Sequence, residues 1–279
     1  IFIYHLIRAC IVNIHRENIY SFLHVIKEQT IYSTYTHNII YIMRRIIEFR
    51  QYALQIGSAL KYINATRQNA SLRKELFPLR LFSLPETGGQ LNLATHLYSY
   101  ESMEERDHKR QSSANNEEWK QYLSIVRPMM LTQQSNIFVE PPLVENFNLH
   151  SLIPNDTTNV TDASHMNNNN CIYEFRKYNL KLGYDTVPKF LEYYETGLPS
   201  KLETLDDCTS LISIFYTEIG ELNEVYEIWR HGNGVNGMEV SRNNAREANE
   251  WRAAIGNIAT LANTFQSTIH KPVGFSNYQ

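Results

Sequence analysis

Two segments of the chain carry the same charged and aromatic residues at every second position. The shared pattern is Glu-x-Arg-x-Tyr, and its members are Glu48, Arg50, Tyr52, Glu174, Arg176 and Tyr178. A guanidinium offers two parallel N–H donors, which suits it to bind a carboxylate. The pattern therefore predicts either ion pairs that satisfy one another and hold two sheets in register, or a polar pocket for a small acidic or carbonyl ligand.

Further candidates lie at matching positions of a later strand in each half: His96 and Tyr98 in one, Glu227 and Trp229 in the other. His96 has no second histidine, cysteine or acid at metal-ligand spacing nearby, so no metal site is predicted. The chain contains no nucleophile elbow, paired-carboxylate motif or P-loop, and no catalytic residue is assigned.

Residues 232–237 read G-x-G-x-x-G, the spacing of a dinucleotide-binding turn. The equivalent positions of the first half, 99–104, contain no glycine. We therefore interpret the glycines as a flexible loop, and no cofactor is expected.

The elements that position these residues follow from hydrophobic periodicity. Alternation in 44–54 predicts a β-strand with Glu48, Arg50 and Tyr52 on one face and Phe49 on the other. Ser102, with Glu105 three residues later, predicts a capped helix start. The other predicted elements are a helix over 58–76, strands over 77–89 and 91–100, one or two helices over 102–130, and a strand over 133–141. This βαββαβ order is that of a ferredoxin-like fold.

The whole unit occurs twice. Seven of the twelve residues in 46–57 are identical to their counterparts in 172–183, and further matches follow in the same order. Internal repetition of this kind sets the architecture. We predict one repeat over 43–142 and a second over 171–275.

A ferredoxin-like sheet carries helices on one face, so its other face must be covered. Two repeats in one chain can cover each other. The predicted fold is therefore α+β: two tandem ferredoxin-like repeats packed sheet to sheet as a pseudo-twofold α+β barrel. The charged faces are expected to point into the barrel. The candidate interior pocket comprises Glu48, Arg50, Tyr52, His96, Tyr98, Glu174, Arg176, Tyr178, Glu227 and Trp229.

Composition restricts the function. Hydrophobic residues make up 43% of the 279 positions, enough for a packed core, and the net charge of −3 gives no basic field for nucleic acid. No apolar run approaches the roughly 20 residues of a membrane-spanning helix. The three cysteines have neither disulfide-framework nor metal spacing.

Two segments are predicted to lie outside the repeats. Residues 143–170 are rich in asparagine and read as a linker. Residues 1–42 are interpreted as a targeting leader or as upstream sequence outside the fold. A native start at Met43 would remove the leader and favour a cytoplasmic protein.

The ordered motifs resemble those of the NIPSNAP family. The second repeat contains YEFRKYNLKLG, YTEIGELNEVYEIW and NEWRAAI; the first contains IEFRQYALQIG, PETGGQLNLATHLYSY and EEWKQYL. Tyr98 replaces the family's Trp in the first repeat, and Glu227 replaces its His in the second. The resemblance implies a dimeric-α+β-barrel superfamily fold and a mostly mitochondrial family active in trafficking, mitochondrial quality control and protein interaction.

The expected function is therefore that of a noncatalytic mitochondrial protein acting through protein partners. The alternative is a small-molecule enzyme of the α+β-barrel class, such as a cofactor-free oxygenase or isomerase, or a metabolite-binding module that uses the barrel interior. The sequence is compatible with a small acidic ligand and with self-association into a homo-oligomer. Nucleic acid is not an expected partner. An open cavity lined by Arg, Tyr and His would favour ligand chemistry over interaction.

Overall fold

The computed structural model describes residues 45–149 and 170–274. The first repeat contains the strands β1 (Ile46–Leu54), β2 (Leu79–Thr87), β3 (Leu93–Tyr100) and β4 (Met130–Val139), and the helices α1 (Ala59–Gln68), α2 (Ala70–Leu76), α3 (Met103–Ala114) and α4 (Glu117–Val126). A short helix, α5 (Leu143–Asn146), follows it. The second repeat contains β5 (Ile172–Leu180), β6 (Thr209–Ile219), β7 (Glu224–His231) and β8 (Ala262–Pro272), with α6 (Thr186–Leu202), α7 (Gly234–Glu247) and α8 (Asn249–Leu261).

The eight strands form one closed antiparallel barrel in the order β1-β3-β2-β8-β5-β7-β6-β4. Each repeat contributes four neighbouring strands in the ferredoxin-like order. Two short ladders, β2 with β8 and β4 with β6, join the repeats edge to edge. Closure leaves no free outer edge where these ladders form, which is how a barrel avoids unpaired strands. The predicted α+β barrel of two ferredoxin-like repeats is confirmed.

Local sequence explains most element boundaries. The Ser102 hydroxyl accepts the N–H of Glu105 at 3.1 Å and caps α3, as predicted. The predicted helix over 58–76 is instead two helices, because Asn69 leaves helical geometry at φ −107° and ψ 19°. Asn92 and Asn223 adopt positive φ angles in the equivalent turns before β3 and β7, a conformation that asparagine tolerates better than most residues.

The glycines of 232–237 lead directly into a helix, since α7 begins at Gly234. The preceding strand, β7, is antiparallel to both of its neighbours, whereas a dinucleotide-binding turn requires parallel strands. The expected flexible loop is thus replaced by a helix start.

Aromatic rings from both repeats fill the barrel interior. Phe49 lies 5.1 Å from Tyr226 and 6.4 Å from Phe175 between ring centroids, and Phe138 lies 5.2 Å from Phe215. The full interior cluster is Ile47, Phe49, Leu81, Leu97, Phe138, Cys171, Tyr173, Phe175, Ile212, Phe215, Tyr226 and Ile228. These residues form a shared core that neither repeat can complete alone.

The predicted orientation of the charged strand faces was wrong. The alternation along β1 is as expected, but Phe49 and Ile47 point into the barrel while Glu48 lies on the helix-covered side. The second repeat has the same arrangement: Phe175 points into the barrel, and Glu174 lies on the helix-covered side. The physical reason is desolvation: the twin sheets would bury the charges against each other's apolar strands, whereas the helices supply arginines to pair with them.

The predicted outer segments are described only in part. The predicted linker begins with α5, whose Leu143 and Val144 are buried against the second repeat's helices. Residues 150–169 and the predicted leader over 1–42 lie outside the described residues. The boundaries 43–142 and 171–275 stay predictions.

Replacing Phe49 by alanine should lower the free energy of unfolding by about 3–5 kcal/mol, because it leaves a cavity among rings from both repeats. Urea unfolding would measure this. The matched control is Ile56→Ala, at a side chain that is 95% exposed. Because the core is shared, both repeats should unfold in one transition; two separate transitions with only one displaced would contradict the shared core.

Candidate functional site

The centre of the site in the first repeat is the carboxylate of Glu48, which is fully buried in the middle of β1. Three arginines donate to it. Arg50, on the same strand face, lies 3.0 Å away, and Arg106 of α3 lies 2.8 Å away. Arg110, one helical turn after Arg106, donates through both Nε and Nη2. A buried carboxylate thus receives more positive charge than it can neutralise.

Two hydroxyl groups complete the surroundings of Glu48. Ser135 of β4 donates to it at 2.9 Å and Tyr100 of β3 at 3.2 Å. Burial by itself would raise the pKa of Glu48, but Arg110 and Arg50 outweigh that effect and lower the pKa to about 2. The carboxylate is therefore ionised at all physiological pH values.

Arg73 of α2 is a buried cation that has no carboxylate partner within residues 45–149 and 170–274. Its Nη1 donates to the hydroxyl of Tyr98 at 2.5 Å and its Nη2 to the hydroxyl of Tyr122 at 2.6 Å, while its Nε has no hydrogen-bond partner among the described residues. The guanidinium also lies over the ring of Trp119, 5.0 Å from its centroid. Arginine stays charged in proteins, so this charge is held only by neutral phenols and a ring face.

His96 of β3 lies beside these groups and adds no charge. Burial first, and then the charges of Arg73 and Arg50, lower the pKa of His96 well below its usual value. Its Nε2 is 3.5 Å from the hydroxyl of Tyr62. A neutral imidazole therefore occupies the centre of this aromatic layer.

A cavity of about 450 Å³ opens between α3, α4 and the sheet of the first repeat. Arg50, Arg73 and Arg110 line it, and the exposed Lys120 and Arg127 add positive charge at its edge. Its walls include the aromatic rings of Tyr52, Trp119 and Tyr122 and the apolar side chains of Leu123 and Met130. In the part of the chain that the structure describes, no Asp, Glu, His or Cys lines this cavity.

The second repeat contains the same buried ion-pair centre. Glu174 receives hydrogen bonds from Arg176 at 2.7 Å, Arg242 at 2.6 Å and Ser267 at 2.8 Å, and His231 lies 3.3 Å away. These partners hold the pKa of Glu174 far below its usual value against the opposing effect of burial. The ion-pair centre is thus common to both repeats and supports the fold.

The second repeat differs by a second buried carboxylate, Glu227 of β7. Tyr178 and Trp229 each donate to it at 2.7 Å, and Tyr194 of α6 also donates. Arg176 lies 3.6 Å from it. In the first repeat the same register position is His96, since Arg50 is opposite His96 and Arg176 is opposite Glu227.

Packing also fills the second repeat where the first is open. Helices α6 and α8 meet at Gly197, where an added Cβ would lie only 2.4 Å from the Cβ of Ala254. The ring of Phe265 stacks on Tyr178 with 4.6 Å between centroids. In the first repeat, Tyr52 corresponds to Tyr178, and the residue opposite it on β4 is Gln133 instead of a phenylalanine. Gln133 lines the cavity and does not cover it.

The ten predicted site residues therefore do not form one interior pocket. They lie in two clusters, one beneath the helices of each repeat, with the aromatic core between them. Sequence reasoning missed the helix residues that complete the clusters. Arg110 and Arg242 recur at matching positions of the two repeats and could have been found from that recurrence. Arg73 carried no such signal, because its helix is weakly periodic.

Within residues 45–149 and 170–274, no group of three or more His, Cys, Asp or Glu side chains could hold a metal ion. None of the described helices combines the length and apolar character needed to cross a bilayer.

Replacing Glu48 by glutamine should destabilise the protein by about 3 kcal/mol at pH 7, because it leaves buried arginines without their carboxylate. The pKa of Glu48 is lower in the folded protein than in the unfolded chain. Its stabilisation is therefore present above about pH 4.5 and lost as the pH falls towards 2. Urea unfolding at pH 7, 4.5 and 3 would measure the free energy of unfolding. The difference between the variant and wild type should become smaller as the pH is lowered.

The control for this prediction is Glu101→Gln. Glu101 pairs with Arg45 at 2.7 Å on the surface, where an ion pair contributes less than about 1 kcal/mol. The assigned role of Glu48 as the buried partner of the arginines would be contradicted in either of two cases. Glu48→Gln would lower the free energy of unfolding no more than Glu101→Gln does, or its effect would be independent of pH.

Comparison with known proteins gives the same assignment from both repeats. Residues 47–143 and 173–277 match the NIPSNAP family model. The human protein NipSnap homolog 3B is 22% identical over 229 residues, which cover 82% of this chain and 84% of the relative. NipSnap homolog 3A of Pongo abelii is 20% identical over the same shares of the two chains.

Among solved structures, a protein from Fusobacterium nucleatum with a provisional monooxygenase name superposes with a TM-score of 0.56. It is 9% identical, and the match covers 84% of this chain and 94% of that one. A protein from Lactobacillus acidophilus with the same provisional name gives a TM-score of 0.54 at 8% identity, over 82% and 94% of the two chains. These likenesses concern the fold. Because the family model matches both repeats, with their motifs in order, the chain belongs to the NIPSNAP family.

Proposed function

We propose that this NIPSNAP protein is a binding protein that holds a small organic anion in the helix-side cavity of its first repeat. The observation that carries this proposal is the cavity's charge: three buried or half-buried arginines line it and no acidic residue does. A volume of about 450 Å³ falls within the range of small-molecule sites. The apolar and aromatic walls suit a ligand with a carbon skeleton beyond its charged group.

Binding is favoured over catalysis by the chemistry of the cavity. General acid–base catalysis needs a group that changes protonation near neutral pH, and the lining residues include no His, Cys or carboxylate. His96 is neutral and buried behind the aromatic wall. The alternative of an enzyme or binding module that uses the barrel interior has little support, because aromatic rings occupy that interior.

The family relation also supports a finer proposal: the protein resides in mitochondria and acts there with protein partners. Tagging the full native chain at its carboxyl terminus and imaging it in its own cells should show mitochondrial localisation. A uniformly cytoplasmic distribution would contradict the mitochondrial part of the proposal and leave the binding site to be tested separately.

Replacing Arg73 by methionine should abolish or weaken anion binding by about 10- to 100-fold, the effect of removing a charge-assisted hydrogen bond. Titration calorimetry with benzoate, succinate and inorganic phosphate would measure the affinity of each probe. Without ligand, the variant should be at least as stable as wild type in urea, because it removes a buried cation that has no carboxylate partner. A purely structural arginine would give the opposite result, a large loss of stability.

The matched control is Lys201→Met. Lys201 is the buried cation near Trp229 in the second repeat, and it donates to Ser241 rather than lining the cavity. Its substitution should leave binding unchanged. Failure of the wild-type protein to bind any of the three probes would overturn the proposed function, as would equal loss of binding in both variants.

A further inference from the structure

We infer that the anionic group of the ligand is a carboxylate, and that it supplies in the first repeat the buried negative charge that Glu227 supplies in the second repeat. This inference rests on the proposed function and deepens it. The two repeats share one framework. A buried group that is present in the second repeat and missing from the first therefore indicates what a ligand of the first repeat would have to supply.

The positions are equivalent by strand register. Glu227 lies opposite Arg176, and His96 lies opposite Arg50, in the same pair of neighbouring strands. The helix tyrosines match as well, since Tyr194 donates to Glu227 and Tyr62 approaches His96. His96 therefore occupies in the first repeat the place that Glu227 occupies in the second.

In the second repeat, Glu227 satisfies a set of donors without any ligand. It accepts hydrogen bonds from Tyr178, Tyr194 and Trp229 and is ion-paired with Arg176. Together with Glu174 it offsets two of the three positive charges that Arg176, Arg242 and Lys201 bring to that cluster. The second repeat thus contains a buried internal carboxylate at a position where the first repeat has none.

In the first repeat, corresponding donors remain but the acid is missing. Arg50 directs its Nε to the hydroxyl of Tyr52 at 2.7 Å, and Arg73 directs both Nη atoms to tyrosine hydroxyls. Phenol oxygens are weaker acceptors for a guanidinium than a carboxylate is. Among the described residues, Arg73 therefore faces the cavity with neutral partners only, whereas Arg50 shares the single carboxylate of Glu48 with Arg106 and Arg110.

The two clusters also differ in their number of buried carboxylates. The second cluster sets Glu174 and Glu227 against Arg176, Arg242 and Lys201. The first cluster sets Glu48 alone against four arginines, which are Arg50, Arg73, Arg106 and Arg110. Of these four, Arg106 has a second, exposed partner in Asp107. The first cluster lacks one buried carboxylate relative to the second.

The geometry places the ligand's carboxylate between Arg50 and Arg73, within reach of Tyr52 and Tyr122. All four residues line the cavity, whereas the ring of His96 occupies the space that Glu227 fills in the second repeat. The rest of the ligand would lie against Trp119. Because Phe265 covers Tyr178 in the second repeat, we expect one ligand per chain.

The test is to give the first repeat its own internal carboxylate. In His96→Glu the new side chain would lie opposite Arg50, as Glu227 lies opposite Arg176, and compete with the ligand. Benzoate binding should weaken by about 10- to 100-fold. The matched control is His96→Gln, which has nearly the same size and no charge, and it should bind benzoate within a few-fold of wild type.

Unfolding in urea gives a second readout that does not depend on a ligand. His96→Glu should be more stable than His96→Gln at pH 7, because its carboxylate adds a second negative charge to a cluster in which Glu48 is shared by three arginines. A misfolded variant would be recognised here by its loss of a cooperative transition. Equal stability of the two variants would contradict the inference.

The outcomes separate the two claims. Wild-type binding of inorganic phosphate without binding of benzoate or succinate would keep the proposed function and overturn the carboxylate inference. Equal loss of benzoate binding in His96→Glu and His96→Gln would also overturn it, because shape rather than charge would then decide. Absence of binding of all three probes to wild type would overturn the proposed function itself. A stoichiometry of two benzoates per chain would contradict the single site.

Discussion

Aromatic rings from both repeats occupy the inside of the closed barrel, and that shared core determines on which side of β1 and β5 the carboxylates of Glu48 and Glu174 lie. The ladders between β2 and β8 and between β4 and β6 bring the two sheets together edge to edge. A carboxylate of Glu48 or Glu174 turned inward would meet the rings of Phe49, Phe175 and Tyr226 and would lose the arginines that now pair with it. The cost of such burial is several kcal/mol or more. Glu48 and Glu174 therefore point outwards, beneath helices that supply arginines.

This constraint separates the structural charges from the ones that could bind a ligand. Glu48 and Glu174 lie at equivalent places and receive hydrogen bonds from equivalent arginines, so their role belongs to the framework of both repeats. Divergence has occurred around them. The second repeat has an extra acid, a close helix contact at Gly197 and a ring, Phe265, over the sheet. The first has arginines around a cavity. Duplication allows such a division, because one repeat can preserve the fold while the other changes its chemistry.

The same comparison explains which side-chain roles could be read from the chain alone. Strand alternation, the Ser102 cap and the ordering of the motifs are local properties, and each followed from spacing. Spacing could not predict which face of each strand points into the barrel, because both faces of the sheet are covered and both carry aromatic residues. Arg73 was missed because its contacts with Tyr98 and Tyr122 join positions far apart in the chain. The break at Asn69 was missed because nothing in the local pattern distinguishes one long helix from two.

The sequence by itself determined the duplicated βαββαβ units, their closure into an α+β barrel and membership of the family, because these depend on periodicity and on motifs that recur in order. Tertiary structure alone decided which face of each sheet is charged, which repeat is open and where the unbalanced arginines lie. The physical reason is that burial and charge balance are sums over groups from separate elements. Arg50 or Glu227 has no fixed role in isolation. Its role depends on whether a helix, a ring or a cavity lies opposite it, and only folding sets that neighbour.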